Sequence, residues 1–236
     1  MRPVGALCAT MVLGVMTLVG CGQHGTSSTT TTGSPVTVEA GNGKVTIPGT
    51  PKRIVVLSPT ATEVLFAIGA GRQVVAVDDQ SDHPANAPKS KLSGFKPNSE
   101  AVIGYKPDLV VLSNDIGGIV KALEKVKIPV LLEPAAANLD EVYDEISDLG
   151  RATGHAGEAG RLAGDMKRQI DATVKATPPG KGLTYYHELS DDLHSVTSRT
   201  FIGQVYGLFG IQNIADPADK RGDGYPQLSP EYVVKA

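Results

Sequence analysis

The chain has 236 residues, a formal net charge of -3 and 41% hydrophobic residues. That length builds one or two domains, and so mild a charge, with no lysine or arginine cluster, gives no basis for binding nucleic acid. Its two cysteines, Cys8 and Cys21, both lie near the N-terminus, so the rest of the chain has no thiol for a disulfide, a thiolate nucleophile or a zinc–thiolate site.

Arg2 is followed by a stretch from Val4 to Gly20 without a charged side chain, rich in Leu, Val and Met. A short apolar core behind a cation is the layout of an export signal. A membrane-spanning helix would need roughly 20 apolar residues, and this run is diluted by Gly14, Thr17 and Gly20 before it stops at Leu18-Val19-Gly20-Cys21. That tetrapeptide resembles the lipobox of bacterial lipoproteins. The resemblance implies removal of residues 1–20, lipidation of Cys21 and anchoring to the extracytoplasmic face of the cell membrane. Lipid chains contribute about 0.8 kcal/mol per buried methylene, so several chains hold without a spanning helix. Residues 21–35 are nearly all Gly, Ser and Thr, too poor in apolar surface to offset ordering entropy, and read as a flexible tether. No later run is long and apolar enough to cross a bilayer.

The region 36–137 reads as one α/β lobe. Val36 to Val38 and Lys44 to Ile47 flank Gly41-Asn42-Gly43, a hairpin signal. Arg53 to Ser58 is a short apolar run of the kind buried on both faces of a sheet. A helix is predicted from Thr60 to Gly69, with Thr60-x-x-Glu63 as a capping box at its start. Further strands are predicted at Val74–Val77, Leu109–Leu112 and Pro129–Leu132, with a short helix after Asn98 or Ser99 and another near Ile119 to Val126. Strands alternating with helices imply a parallel sheet, which binds ligands beyond the carboxyl ends of its strands. The polar segments there are Ser58 to Thr60, Asp78 to Pro84 and Ser113 to Asp115.

Residues 138–177 read as linker helices. Asn138 caps the first, and a second from about Gly157 to Ala176 spans on the order of 30 Å. The region 178–236 restarts with a strand at Leu183–Tyr186, continues through a loop to Arg199 and a helix from Phe201 to Phe209, and begins a last helix after Tyr225-Pro226. This part reads as a second, partial lobe.

Arg53 to Glu63 with Ile68-Gly69, and Tyr105 to Val111, resemble the N-terminal lobe of substrate-binding proteins for iron-siderophore, haem and cobalamin ABC importers. Thr200 to Val205, Gly210 to Ala215 and Pro226 to Ser229 resemble the second lobe of that family. The resemblance implies an α/β fold of two parallel-sheet, Rossmann-like lobes joined by a long, rigid helix. It also implies a monomer without an intrinsic cofactor or catalysis. The ligand, a cobalamin, a haem or a ferric siderophore, is held between the lobes and handed to an ABC permease driven by a separate ATPase. Family members have a complete C-terminal lobe, so this chain looks C-terminally incomplete.

On that reading the cleft is lined by Ser58, Thr60, Asp79, His83, Phe95, Asn114, Tyr186, Arg199 and Tyr225. Glu63 falls where relatives dock on an arginine of the permease; a second docking acid would fall at Gln204 or Gly207, neither of them acidic. His83 is either a solvated loop residue or a neutral nitrogen ligand for cobalt or iron, alone or with His187 and His194. Tyr186, Tyr225 and Phe95 either pack in cores or stack on a flat macrocycle, and Arg199 suits an anionic group in bidentate fashion. The scarcity of arginine in the second lobe leans slightly towards cobalamin. Two alternatives differ in class. A zinc or manganese receptor needs three clustered ligands, and the five histidines are scattered. A secreted enzyme lacks support, since the chain has no G-x-S-x-G elbow and no H-E-x-x-H.

Overall fold

The computed structural model describes residues 33–236. The predicted signal peptide, Cys21 and the tether up to residue 32 lie outside them. No described helix is long and apolar enough to cross a membrane.

β1 (Val36–Ala40) and β2 (Gly43–Ile47) pair antiparallel as the predicted hairpin. Then follow β3 (Ile54–Leu57), α1 (Pro59–Ala67), β4 (Val74–Asp78), β5 (Lys89–Leu92), α2 (Ser99–Gly104), β6 (Leu109–Leu112), α3 (Ile119–Glu124) and β7 (Val130–Leu132). Their five strands form one parallel sheet in the order β5-β4-β3-β6-β7. β5 escapes a hydrophobicity reading because Lys89-Ser-Lys-Leu92 buries only Leu92 at the sheet's margin.

Side-chain alternation divides the core in two. Ile54, Val56, Leu109, Val111 and Leu131 share one cluster with the hairpin, α1 and later helices. Val55, Leu57, Val110, Leu112 and Val130 share the other with Val102 of α2 and Ile119, Val120 and Leu123 of α3. Burial on both faces is why these strands read as unbroken apolar runs.

The hairpin turn docks on β7. Gly41 N–H donates to the Leu132 carbonyl at 2.7 Å. The Asn42 carboxamide donates to the Val130 carbonyl at 3.1 Å and accepts from Leu132 N–H at 3.2 Å. These bonds fix the position of the residues that leave β7.

α4 (Leu139–Thr153) and α5 (Ala156–Ala176) follow. Asn138 accepts from Glu141 N–H at 2.9 Å, while the Glu141 carboxylate accepts from Ala137 N–H at 2.7 Å, a reciprocal capping box. α4 buries Ile146, Leu149 and Ala152 in the first cluster. At Gly150 it meets α5 so closely that a Cβ would stand 2.3 Å from that of Ala159.

The 21 residues of α5 match the predicted long helix. β8 (Thr184–Tyr185), α6 (Phe201–Gly207), β9 (Gln212–Asn213) and α7 (Pro230–Lys235) complete the chain. β8 and β9 form a second, two-stranded parallel sheet. The architecture is α/β, with two parallel-sheet bodies of unequal size joined through α4 and α5.

Candidate functional site

In the first sheet the chain proceeds outward from β3 in two directions, with β4 on one side and β6 on the other. Helices entering and leaving on opposite sides of such a reversal leave a crevice beyond the strand ends. A cavity of about 490 Å³ lies there, lined by Ser58, Pro59 and Thr60 after β3, Ser113 after β6, Glu133 to Ala136 after β7, Val142, Glu145 and Leu149 of α4, and Phe201 of α6. Phe201 comes from the second body. Beside it the Gln204 carboxamide donates to the Ala137 carbonyl at 2.8 Å and to the Arg199 carbonyl at 3.1 Å. Gln204 thus ties the second body to the segment before α4.

Ser58 and Thr60 both line this cavity, but the capping expectation shifts. Pro59 takes the first helical position, and Ser58 is the N-cap, its Oγ accepting from Ala61 N–H at 3.2 Å. Thr60 therefore lies inside the helix and does not form a capping box with Glu63. Ser58 also anchors a buried polar chain. Its carbonyl accepts from Thr62 Oγ1 at 2.9 Å, Thr62 meets Ser81 Oγ at 3.0 Å, and Ser81 Oγ donates to Asp78 Oδ1 at 2.5 Å. Burial raises the Asp78 carboxyl above its ordinary value, opposed by the Ser81 hydrogen bonds. This chain knits β3 to β4; the neighbouring Asp79 is exposed.

Glu63 and His83 share a different groove of about 650 Å³ with Thr60, Val142, Leu162 and Met166. Both are exposed. Among the described residues no group of three or more His, Cys, Asp or Glu side chains is placed to hold a metal ion. His187 Nδ1 lies 3.3 Å from the Tyr206 hydroxyl, and His194 Nδ1 lies 2.8 Å from Asp192. Among the described residues the structure therefore does not gather the three histidines, or His83 with two other ligands, around one point.

Asn114 spends its carboxamide locally, donating to Ser113 Oγ at 3.3 Å and accepting from Ile116 N–H at 3.4 Å. Phe95 is 66% and Tyr225 46% exposed, each in a loop rather than in a core. Tyr185 stacks on Tyr206 with ring centroids 4.1 Å apart. Tyr186, just past the end of β8, buries its hydroxyl without a partner. Arg199 departs from expectation. Its guanidinium is paired with Asp219, a side chain only 2% exposed. Asp219 also accepts from Gly222 and Gly224 N–H at 2.8 and 3.0 Å. Arg199 is thus committed to neutralising a buried acid that holds the 219–224 turn.

Two acids absent from the sequence reading line the crevice. Glu133 follows β7, its N–H donating to the Leu112 carbonyl at 2.8 Å. The residue is 9% exposed and its Oε1 has no hydrogen-bond partner. Burial first, then the charges of Asp148 and Glu145, push its carboxyl up to about 8. Burial, with Glu141 and Asp148, pushes Glu145 up to about 7. The only signal in the sequence was an acid directly after an apolar strand.

Residues 54–236 match the family described as periplasmic binding protein. A cobalamin-binding protein of Halobacterium salinarum is 32% identical over 209 residues, covering 85% of this chain and 56% of that protein. The chain thus spans little more than half the length of that relative. An uncharacterized ABC transporter substrate-binding lipoprotein of Bacillus subtilis is 30% identical over 251 residues, covering 100% of this chain and 79% of that protein. The crystal structure of a possible iron-binding (periplasmic solute-binding) protein from Staphylococcus epidermidis superposes with a TM-score of 0.70 at 25% identity, covering 78% of this chain and 74% of the other. On the match over residues 54–236, together with the sheet order and the crevice it creates, this chain belongs to the periplasmic binding protein family.

Proposed function

We propose that the chain is the solute receptor of an ABC importer, anchored through a lipidated Cys21 on the extracytoplasmic face of the membrane. It captures a metal chelate, a cobalamin or a ferric siderophore or haem, and delivers it to a permease without chemical turnover. The observation that carries this reading is the crevice of about 490 Å³ at the sheet's reversal point, walled on its far side by Phe201 of the second body. A pocket between two packed bodies, with apolar walls and few polar groups, is the general form of a small-molecule site. Glu63, exposed on α1 beside the crevice, is the residue proposed to face the permease.

Isothermal titration calorimetry of the full chain with cyanocobalamin, haemin, a ferric siderophore and zinc tests the proposal. Saturable binding of at least one chelate is expected, with the chelate recovered unchanged. Binding at a hundredfold excess over Kd adds about 2.7 kcal/mol of stability, so the melting temperature rises with the same ligand. No response to any chelate, accompanied by hydrolysis of a model ester, overturns it. Cys21→Ala is expected to release the protein into the soluble fraction; retention on the membrane refutes the anchor. The zinc or manganese alternative is disfavoured by the separation of His83, His187 and His194.

A further inference from the structure

We propose that Glu133 and Glu145 form a hydrogen-bonding subsite in the crevice, one that takes the uncharged carboxamide rim of a chelate and turns away a rim of carboxylates. The inference rests on the receptor reading above and names the chemistry of its ligand.

The first support is an unmatched atom. Glu133 is 9% exposed, lines the cavity, and leaves Oε1 without a partner. A buried polar atom with no partner is costly and uncommon in folded proteins, and the residue that carries it lines the cavity a ligand would occupy.

The second is the charge around it. Glu145, Asp148 and Glu141 face it or its neighbour from α4. The nearby Arg151 is paired with Asp148. From α1, the β6 end and α6 the cavity receives only hydroxyls, apolar groups and the Phe201 ring, and no lysine or arginine lines it. With the carboxyls titrating at about 8 and about 7, Glu133 is mostly protonated at neutral pH and Glu145 roughly half protonated.

The third is complementarity. A protonated carboxyl offers one O–H donor and one acceptor oxygen, the mirror of a carboxamide's carbonyl and N–H. A ligand carboxylate would meet acids that ionise against it within walls formed by Pro59, Ala61, Val64, Pro134 and Leu149, where an unpaired charge is expensive. A metal ion would find no set of three ligands here.

Calorimetry of the full chain between pH 6 and pH 9 tests this, with cyanocobalamin as the carboxamide-rimmed probe and haemin as the carboxylate-rimmed one. A group titrating at about 8 is roughly nine-tenths ionised at pH 9, so the cyanocobalamin affinity is expected to fall about tenfold from pH 6. At pH 7 haemin should bind at least about tenfold more weakly. Glu133→Gln keeps a donor and an acceptor but cannot ionise. It should make the profile shallower, leaving only the fall that Glu145 contributes. Glu133→Leu, checked for folding by circular dichroism, should lose about tenfold at every pH. A flat wild-type profile, an affinity that rises with pH, or the same slope in Glu133→Gln overturns the subsite. If haemin binds tightly and Glu133→Gln changes nothing, the subsite falls while the receptor reading stands. If neither these chelates nor a ferric siderophore binds at any pH, the receptor reading fails and takes the subsite with it.

Discussion

Glu133 sets a sign on the stability of the whole chain. Its carboxyl titrates at about 8 in the fold against an ordinary value of 4.5, so the native state holds a proton that the unfolded chain has already released. Its contribution is therefore fully present below about pH 4.5 and is lost as the pH rises through about 8. Glu145, at about 7, adds in the same direction over a narrower window. Urea unfolding at pH 5 and pH 9 should differ by on the order of a few kcal/mol in the wild type; Glu133→Gln should remove most of the difference. Equal slopes for the two proteins would refute the assignment. Arg199 makes the opposite case, a charge whose work is structural. Arg199→Ala removes the charged partner of Asp219 and should lower the midpoint of chemical denaturation, while chelate affinity changes less than about threefold. A large loss of affinity without loss of stability would restore Arg199 to the site. Neither role was legible beforehand. The partner of Arg199 lies twenty residues away along the chain, and the burial of Glu133 depends on α4, so both are settled by tertiary placement alone. The cap of α1 was legible and misread: Pro59 favours the first helical position, which moves the cap to Ser58.

At the level of elements, the strands buried on both faces were readable because nothing polar interrupts them, and α5 because its apolar residues recur at helical spacing. β5 was not, since a marginal strand carrying two lysines has no hydrophobic signature. α6 was placed correctly, but the reason for its glycine was hidden. A Cβ at Gly203 would stand 2.0 Å from the Thr197 carbonyl oxygen and 2.6 Å from Ser198 Cα, both backbone atoms that cannot swing aside. Gly203→Ala must therefore shift the start of α6, which carries Phe201 into the crevice. A loss of about 3 kcal/mol is expected from the forced backbone movement, together with a loss of chelate binding. Unchanged melting and unchanged affinity would show that α6 does not wall the site.

Across the whole molecule, the fold class and the crevice at the reversal point followed from strand alternation and connection rules, which ask only for the order of elements. Which side chains fill that crevice followed from neither. Phe201 reaches it from the second body, and Gln204 stands where a docking acid was sought, spending its carboxamide on Ala137 instead.

The hairpin that precedes the family match has a consequence for the free edge of the sheet. Asn42 and Gly41 occupy the outward-facing peptide groups of β7, the flank of the sheet where an additional strand would otherwise be welcome. A shortened chain beginning at Arg53 would keep every matched residue yet present that flank bare, and bare flanks recruit strands from neighbouring molecules. Such a chain is expected to self-associate on gel filtration, and adding Asn42→Ala to the intact protein should produce a milder version of the same tendency. A monodisperse shortened chain would show that the hairpin is dispensable as a guard.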